Sequence, residues 1–282
     1  MAEQQSGRVT VEEGVVVGTC GGRELKADVY TPPPGTSNGA GVLLVHGGAW
    51  TTGDRSQLRG YGILLGRIGY TCVSCEYRLS GEAKWPAQIH DAKAALRWMR
   101  ANSERLGIDA GKIAVSGNSA GGHLSLMIAG TPHVAEFEGD GGNAGVSTDV
   151  AACIAFYAPA LLYTPRRELP EQLNFLFGAG YPEETAKAAS PITYASKVFP
   201  PTMLITGNKD ELVPVEASFR MYRALIDAGA KAELHVYEGA PHAFDAIPEF
   251  GRQTAAIMAL FLDRHVVRPR EVIIAAVAAA SA

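Results

Sequence analysis

Three residues in this chain can together make an unreactive hydroxyl into a nucleophile. Ser119 sits in Gly117-Asn118-Ser119-Ala120-Gly121, which fits G-x-S-x-G, the nucleophile elbow. Its glycines let strand and helix pass close together and leave the serine hydroxyl exposed at the turn. A serine hydroxyl is a weak nucleophile at neutral pH and needs a base within hydrogen-bond reach. Of the seven histidines, His242 is the candidate base, because it lies in a loop just after a strand. A base of this kind needs a carboxylate to hold its tautomer and stabilise the imidazolium. Asp210, at the end of the preceding strand, is the candidate, and the adjacent Glu211 is the alternative.

An attacked carbonyl becomes an oxyanion and needs preorganised N–H donors. The start of the helix after Ser119 offers free N–H groups and a positive dipole end, so the Ala120 N–H is one candidate. The glycine-rich loop His46-Gly47-Gly48-Ala49-Trp50 follows an apolar strand and supplies the others, Gly48 and Ala49. A positive φ at Ala49 would be strained, since it carries a Cβ. His46 is read as holding that loop. His90, His123 and His235 fall in helices or a strand, where core or edge positions are expected. Trp50, Trp85 and Phe244 are candidate walls of a substrate pocket.

The elements that position these residues follow from periodicity. Residues 8–17 and 23–30 read as an antiparallel hairpin with a turn at 18–22, half exposed because Leu25, Ala27 and Val29 alternate with Lys26 and Asp28. From residue 42 onward the order is strand, helix, strand, helix, strand, helix. The strands are 42–45, 72–77 and 113–115, and the helices are 57–68, 86–106 and 120–129. Further strands are expected at 150–156, 202–206 and 232–237, with helices at 214–228 and 248–265. That rhythm describes an α/β protein with a doubly wound, mostly parallel central sheet flanked by helices. Ligands bind such sheets beyond the carboxyl ends of the strands, where His46 and Ser119 both fall. The chain reads as a single domain over 1–282. The span 131–190 holds a candidate small helical lid, where substrate choice would be made.

Composition narrows the function classes. Hydrophobic residues at 47% and charged residues at 19% describe a globular protein with ample core. A net charge of −4, spread without long runs, argues against nucleic acid or an anionic membrane surface as the main partner. No apolar stretch reaches the ~18 residues of a membrane span. The polar start, without a basic and apolar leader, sets the expectation of a cytoplasmic protein. Cys72 and Cys75 have C-x-x-C spacing, but in a strand their sulfurs point to opposite faces. No second pair completes a zinc set, so buried free thiols are expected and no metal site. The apolar tail 271–280 is expected to pack on the body or on a second copy of the chain.

With these motifs in order, the chain resembles the α/β-hydrolase serine esterases. The resemblance is carried by His46-Gly47-Gly48-Ala49-Trp50, Glu76-Tyr77-Arg78-Leu79, Gly117-Asn118-Ser119-Ala120-Gly121-Gly122, Asp210 and Pro241-His242-Ala243-Phe244. The order Ser119, Asp210, His242 is the one such hydrolases use. The chain is most similar to the hormone-sensitive-lipase-like and feruloyl-esterase-like carboxylesterases, near the kynurenine formamidase group. The resemblance implies hydrolysis of short-chain carboxylic esters through an acyl-enzyme, without metal or cofactor. Two alternatives stay open. The H-G-G-x-W form is shared with arylformamidases, which cleave an amide, and a non-catalytic binding protein can keep the same fold and pocket.

Overall fold

Strands buried on both faces need continuous apolar side chains, and those at the centre of this protein have them. A computed structural model describes residues 7–163 and 173–271. Among these residues the strands are β1 (Thr10–Cys20), β2 (Arg23–Thr31), β3 (Gly41–Val45), β4 (Thr71–Cys75), β5 (Ile113–Asn118), β6 (Ala152–Phe156), β7 (Thr202–Gly207) and β8 (Ala232–Tyr237). They form one sheet in the order β1-β2-β4-β3-β5-β6-β7-β8. β1 pairs antiparallel with β2, and β2 with β4. Every pairing from β4 to β8 is parallel.

The helices are α1 (Arg59–Gly66), α2 (Ala87–Ala101), α3 (Ser103–Leu106), α4 (Ala120–Gly130), α5 (Asn174–Phe177), α6 (Glu183–Ala188), α7 (Glu216–Asp227) and α8 (Pro248–Leu262). Side chains alternate across the sheet and so build two cores. Leu43, Val45, Val73 and Val115 face α2, α4 and α7 on one side. Val42, Leu44 and Ala114 face α1 and α8 on the other. Cys75 lies in the first core and Cys72 in the second, so the two thiols diverge as their spacing implies. All four cysteines are buried and free. Among the described residues no helix is long and apolar enough to cross a membrane.

Three details differ from the sequence reading. β1 runs on through Gly18 to Cys20, whose side chain is buried in the core. The hairpin turn is therefore only Gly21–Gly22, with both φ angles positive, as a tight two-residue hairpin requires. The hairpin is also less exposed than its alternation suggests. Asp28 is buried, accepting from the Gly14 N–H at 2.9 Å and the Arg55 guanidinium at 2.8 Å. The long helix expected at 86–106 breaks at Asn102. Its backbone N–H and its side-chain amide both donate to the Trp98 carbonyl, at 3.0 and 2.9 Å, so Asn102 closes α2 with its own backbone outside the helical region.

The span 131–190 divides in two around β6. Its first part packs on α2, where the Lys93 ammonium donates to the Thr131 carbonyl and the Arg97 guanidinium to the carbonyls of Glu138 and Gly142. Its second part, with α5 and α6, lies toward the carboxyl ends of the strands. Residues 164–172 of the candidate lid and the apolar tail from residue 272 onward lie outside the described residues.

Candidate active site

The centre of the site is the turn between β5 and α4. Ser119 has φ +53° and ψ −119°, a conformation that costs a non-glycine residue on the order of 1–3 kcal/mol and persists only where its surroundings enforce it. The Ser119 N–H donates to the Phe156 carbonyl at 2.9 Å, tying the turn to the end of β6. Gly121 allows the crossing. A Cβ there would lie 1.9 Å from the Val45 carbonyl oxygen and 2.5 Å from that of His46, both backbone atoms at the end of β3. Gly121→Ala is therefore expected to drive α4 away from β3. Overpacking of this kind costs typically 1–3 kcal/mol and occasionally more. At about 3 kcal/mol, Tm falls by roughly 6–12 °C in a domain of this size. A thermal melt with unchanged Tm would refute this crossing.

Ser119, His242 and Asp210 meet beyond the sheet's carboxyl edge. The hydroxyl of Ser119 lies 3.0 Å from His242 Nε2, across 123 residues of sequence. His242 Nδ1–H donates to Asp210 Oδ2 at 2.7 Å. The other Asp210 oxygen accepts the N–H groups of Leu212 at 2.9 Å and Val213 at 2.8 Å. The Asp210 side chain is fully buried, so every hydrogen bond it makes fixes its direction. Glu211, the alternative partner, is exposed.

The loop after β3 faces the same point. Gly48 has φ +108°, Ala49 +52° and Trp50 +60°. The strain foreseen at Ala49 is thus present, and Trp50 shares it. A Cβ on Gly48 would lie 2.2 Å from the Thr52 carbonyl oxygen, which requires glycine there. The Gly48 carbonyl accepts the N–H groups of Thr51 and Thr52 at 2.9 and 3.0 Å. Ala49 and Ala120 line the cavity beside Ser119 and His242. Among the described residues, the Ala49 and Ala120 N–H groups have no hydrogen-bond acceptor in the protein. The Gly48 N–H, in the same loop, likewise has no acceptor among the described residues.

His46 holds the loop from within. It is completely buried, its ring stacks on Tyr77 at 4.2 Å, and its Nδ1 contacts the Gly47 carbonyl at 2.8 Å. The Tyr77 hydroxyl donates to the His46 carbonyl at 3.0 Å. Burial pushes the His46 imidazole below its ordinary value, so it stays neutral. His123 is likewise buried, held near 4 by desolvation, with Nε2 on the Ala189 carbonyl at 2.7 Å.

The cavity has a volume of about 690 Å³ and is walled mainly by apolar side chains: Trp50, Pro159, Leu162, Leu173, Phe175, Leu212 and Val213. Thr51, Ser80 and Lys84 add polar groups. Of the three expected aromatic walls, only Trp50 is in place. Trp85 packs instead on His123, Phe137 and Phe177, in the layer beneath. Phe244 is buried among Tyr157, Tyr237 and Phe250. Ala243, in the left-handed region, leads into the 3₁₀ turn Phe244–Ala246, which carries the ring under the sheet edge. Leu162, Leu173 and Phe175 belong to the span read as a lid, whereas the wall at Leu212 was not read from the sequence. Their only local signal is apolar side chains among prolines and charges.

A family model, BD-FAE, matches residues 27–225. Esterase LipC of Mycobacterium tuberculosis is 32% identical over 237 residues, covering 79% of this chain and 58% of that protein. The chain spans little more than half the length of the curated relatives LipC, LipM and LipQ. Two solved structures match along nearly their whole length. A truncated carbohydrate esterase from gut microbiota has a TM-score of 0.80 at 25% identity, covering 93% of this chain and 99% of that one. The butyrate-bound esterase 2 of Thermogutta terrifontis has a TM-score of 0.79 at 27% identity, covering 95% and 98%.

Proposed function

Starting from the fact that the chain belongs to the BD-FAE family and has the α/β-hydrolase fold, we propose that it is a serine carboxylesterase acting on short-chain esters. The observation that carries this reading is the hydrogen-bonded line Ser119–His242–Asp210 opening beside the free N–H groups of Gly48, Ala49 and Ala120 into an apolar cavity. In this reading Ser119 Oγ attacks the ester carbonyl while His242 Nε2 takes its proton. The carbonyl oxygen, now negative, is met by the N–H groups of Gly48, Ala49 and Ala120. The C–O bond to the alcohol breaks as His242 returns the proton to the leaving oxygen. Water, deprotonated by His242, then attacks the acyl carbon; the bond to Ser119 Oγ breaks, His242 returns the proton to Oγ, and the acid is released. Asp210 keeps Nδ1 protonated and Nε2 aimed at Ser119 throughout.

The acyl group is assigned to the apolar wall. Residues 1–282 act as one hydrolase domain, and the segment carrying Leu162, Leu173 and Phe175 acts as a cap. The Lys84 ammonium tethers that cap through the Phe175 carbonyl at 2.8 Å, and the Trp85 N–H through that of Leu176 at 3.0 Å. The names of the relatives support an ester over the formamide of the alternative reading. A p-nitrophenyl ester series is the test. From acetate to butyrate, kcat/KM is expected to rise by about fourfold per methylene, the factor for roughly 0.8 kcal/mol per buried CH₂. It should fall once the acyl chain outgrows the cavity. Faster turnover of N-formylkynurenine than of any ester would replace this reading with the amidase one. No turnover of either would reopen the binding-protein reading.

A further inference from the structure

His242 has a third neighbour besides Ser119 and Asp210. The ring of Tyr157, the residue directly after β6, packs against its imidazole with centroids 4.5 Å apart and planes at 61°. Tyr157 is 1% exposed, and its backbone is held at φ +34° with its N–H donating to the Ile205 carbonyl at 2.7 Å. At the other end of the side chain, the Tyr157 hydroxyl donates to Asp245 Oδ1. The second Asp245 oxygen accepts the Tyr61 hydroxyl at 3.0 Å, and that hydroxyl shares a further hydrogen bond with Thr254 Oγ1 at 2.7 Å.

Asp245 is buried and takes no part in acyl transfer. A buried carboxylate is costly unless it is well hydrogen-bonded. Burial pushes its carboxyl above the ordinary range, and the two phenol donors and the neighbouring His242 pull it back. Asp245 lies three residues after His242 on the same loop. The loop therefore grips one tyrosine at two points: His242 against the ring and Asp245 on the hydroxyl. A ring fixed at its backbone and at its hydroxyl cannot tilt, and the imidazole resting on it is limited in the same way.

Resting on the esterase reading, we propose that Tyr157 is a positioning residue for the general base, clamped by Asp245 so that the imidazole of His242 stays on the line between Ser119 and Asp210. The need for it is geometric, because misplacing a reacting group by about 1 Å can cost ~10²-fold in rate.

The experiment compares wild type with Tyr157→Phe and Asp245→Asn. It reads kcat and KM on p-nitrophenyl butyrate, Tm, and the low-field proton resonance of His242 Nδ1–H. Tyr157→Phe keeps the ring and its volume and removes only the anchor. The expected result is a fall in kcat of roughly 10- to 100-fold, KM little changed, and a shifted or broadened Nδ1–H resonance in both variants. Wild-type kcat with an unmoved resonance would overturn the proposal. So would a variant that loses only Tm, or whose KM alone rises, since either marks plain packing. Should Asp245→Asn fail to fold, Tyr157→Phe decides alone. Should wild type hydrolyse no ester, the esterase reading fails, and the resonance still decides whether Tyr157 holds His242.

Discussion

Alanine in place of Ser119 is expected to lower kcat on p-nitrophenyl butyrate by about 10⁶-fold, the scale on which loss of a serine nucleophile acts elsewhere. The loss is that large because the acyl-enzyme route closes altogether. What remains is the contribution of the oxyanion donors and of substrate binding, roughly 10³–10⁴ over water. The cavity walls and the N–H groups of Ala49 and Ala120 are untouched, so ester binding should persist while turnover disappears. Ser119 also sits at a strained backbone position, φ +53°, but alanine inherits the same strain. The melting curve should therefore stay near that of the wild type. Steady-state kinetics and a thermal melt on the same preparation separate the two effects. A variant that kept even a hundredth of the wild-type rate would remove Ser119 from the nucleophile's role.

Asparagine in place of Asp210 is expected to cost about 10⁴-fold in kcat, the scale of losing the carboxylate that sets the histidine's tautomer. Asp210 Oδ2 accepts the Nδ1–H of His242 at 2.7 Å, and Oδ1 accepts two backbone N–H groups. In the variant, the amide can keep its oxygen on those two N–H groups. Its NH₂ then faces His242 Nδ1 as a donor, so the imidazole proton is driven to Nε2. That nitrogen can no longer take the proton of Ser119. Glu211→Gln is the matched control. Glu211 is exposed, so the rate should change by no more than about twofold, the ±0.5 kcal/mol scale of surface substitutions. A larger loss in Glu211→Gln than in Asp210→Asn would exchange their roles.

Much of this site is written locally. The run Ile113-Ala114-Val115 is apolar because β5 is covered on both faces, and Gly117 and Gly121 stand where a backbone crosses. Both signals are read from neighbouring residues, and the turn around Ser119 was legible for that reason. Asp210 and His242 were legible because each follows a strand whose carboxyl end had to lie on the same sheet edge. The cavity wall was legible only in part. Leu173 lies in the span read as a lid, but its meeting with Leu212 depends on how segments far apart in the sequence fold together. Phe244 shows the limit most simply. It is two residues from His242, but a left-handed Ala243 and a short 3₁₀ turn send its ring in another direction. Tyr157 was missed for the opposite reason, since nothing near it in sequence marks it as a partner of His242.

The strand order also has a consequence for when this protein becomes competent. Ser119 is delivered by β5 in the middle of the sheet, whereas Asp210 and His242 follow β7 and β8, and β8 is the half-covered strand at the sheet's margin. Both the β6–β7 and the β7–β8 pairings must be in place before the three side chains can meet, and each is a non-local parallel pairing. During refolding, a molecule with both cores largely assembled would still lack its base and its carboxylate until the margin docks. Under the esterase reading, recovery of p-nitrophenyl butyrate hydrolysis during refolding reports the docking of the last two strands, and secondary structure recovered before it marks the scaffold alone.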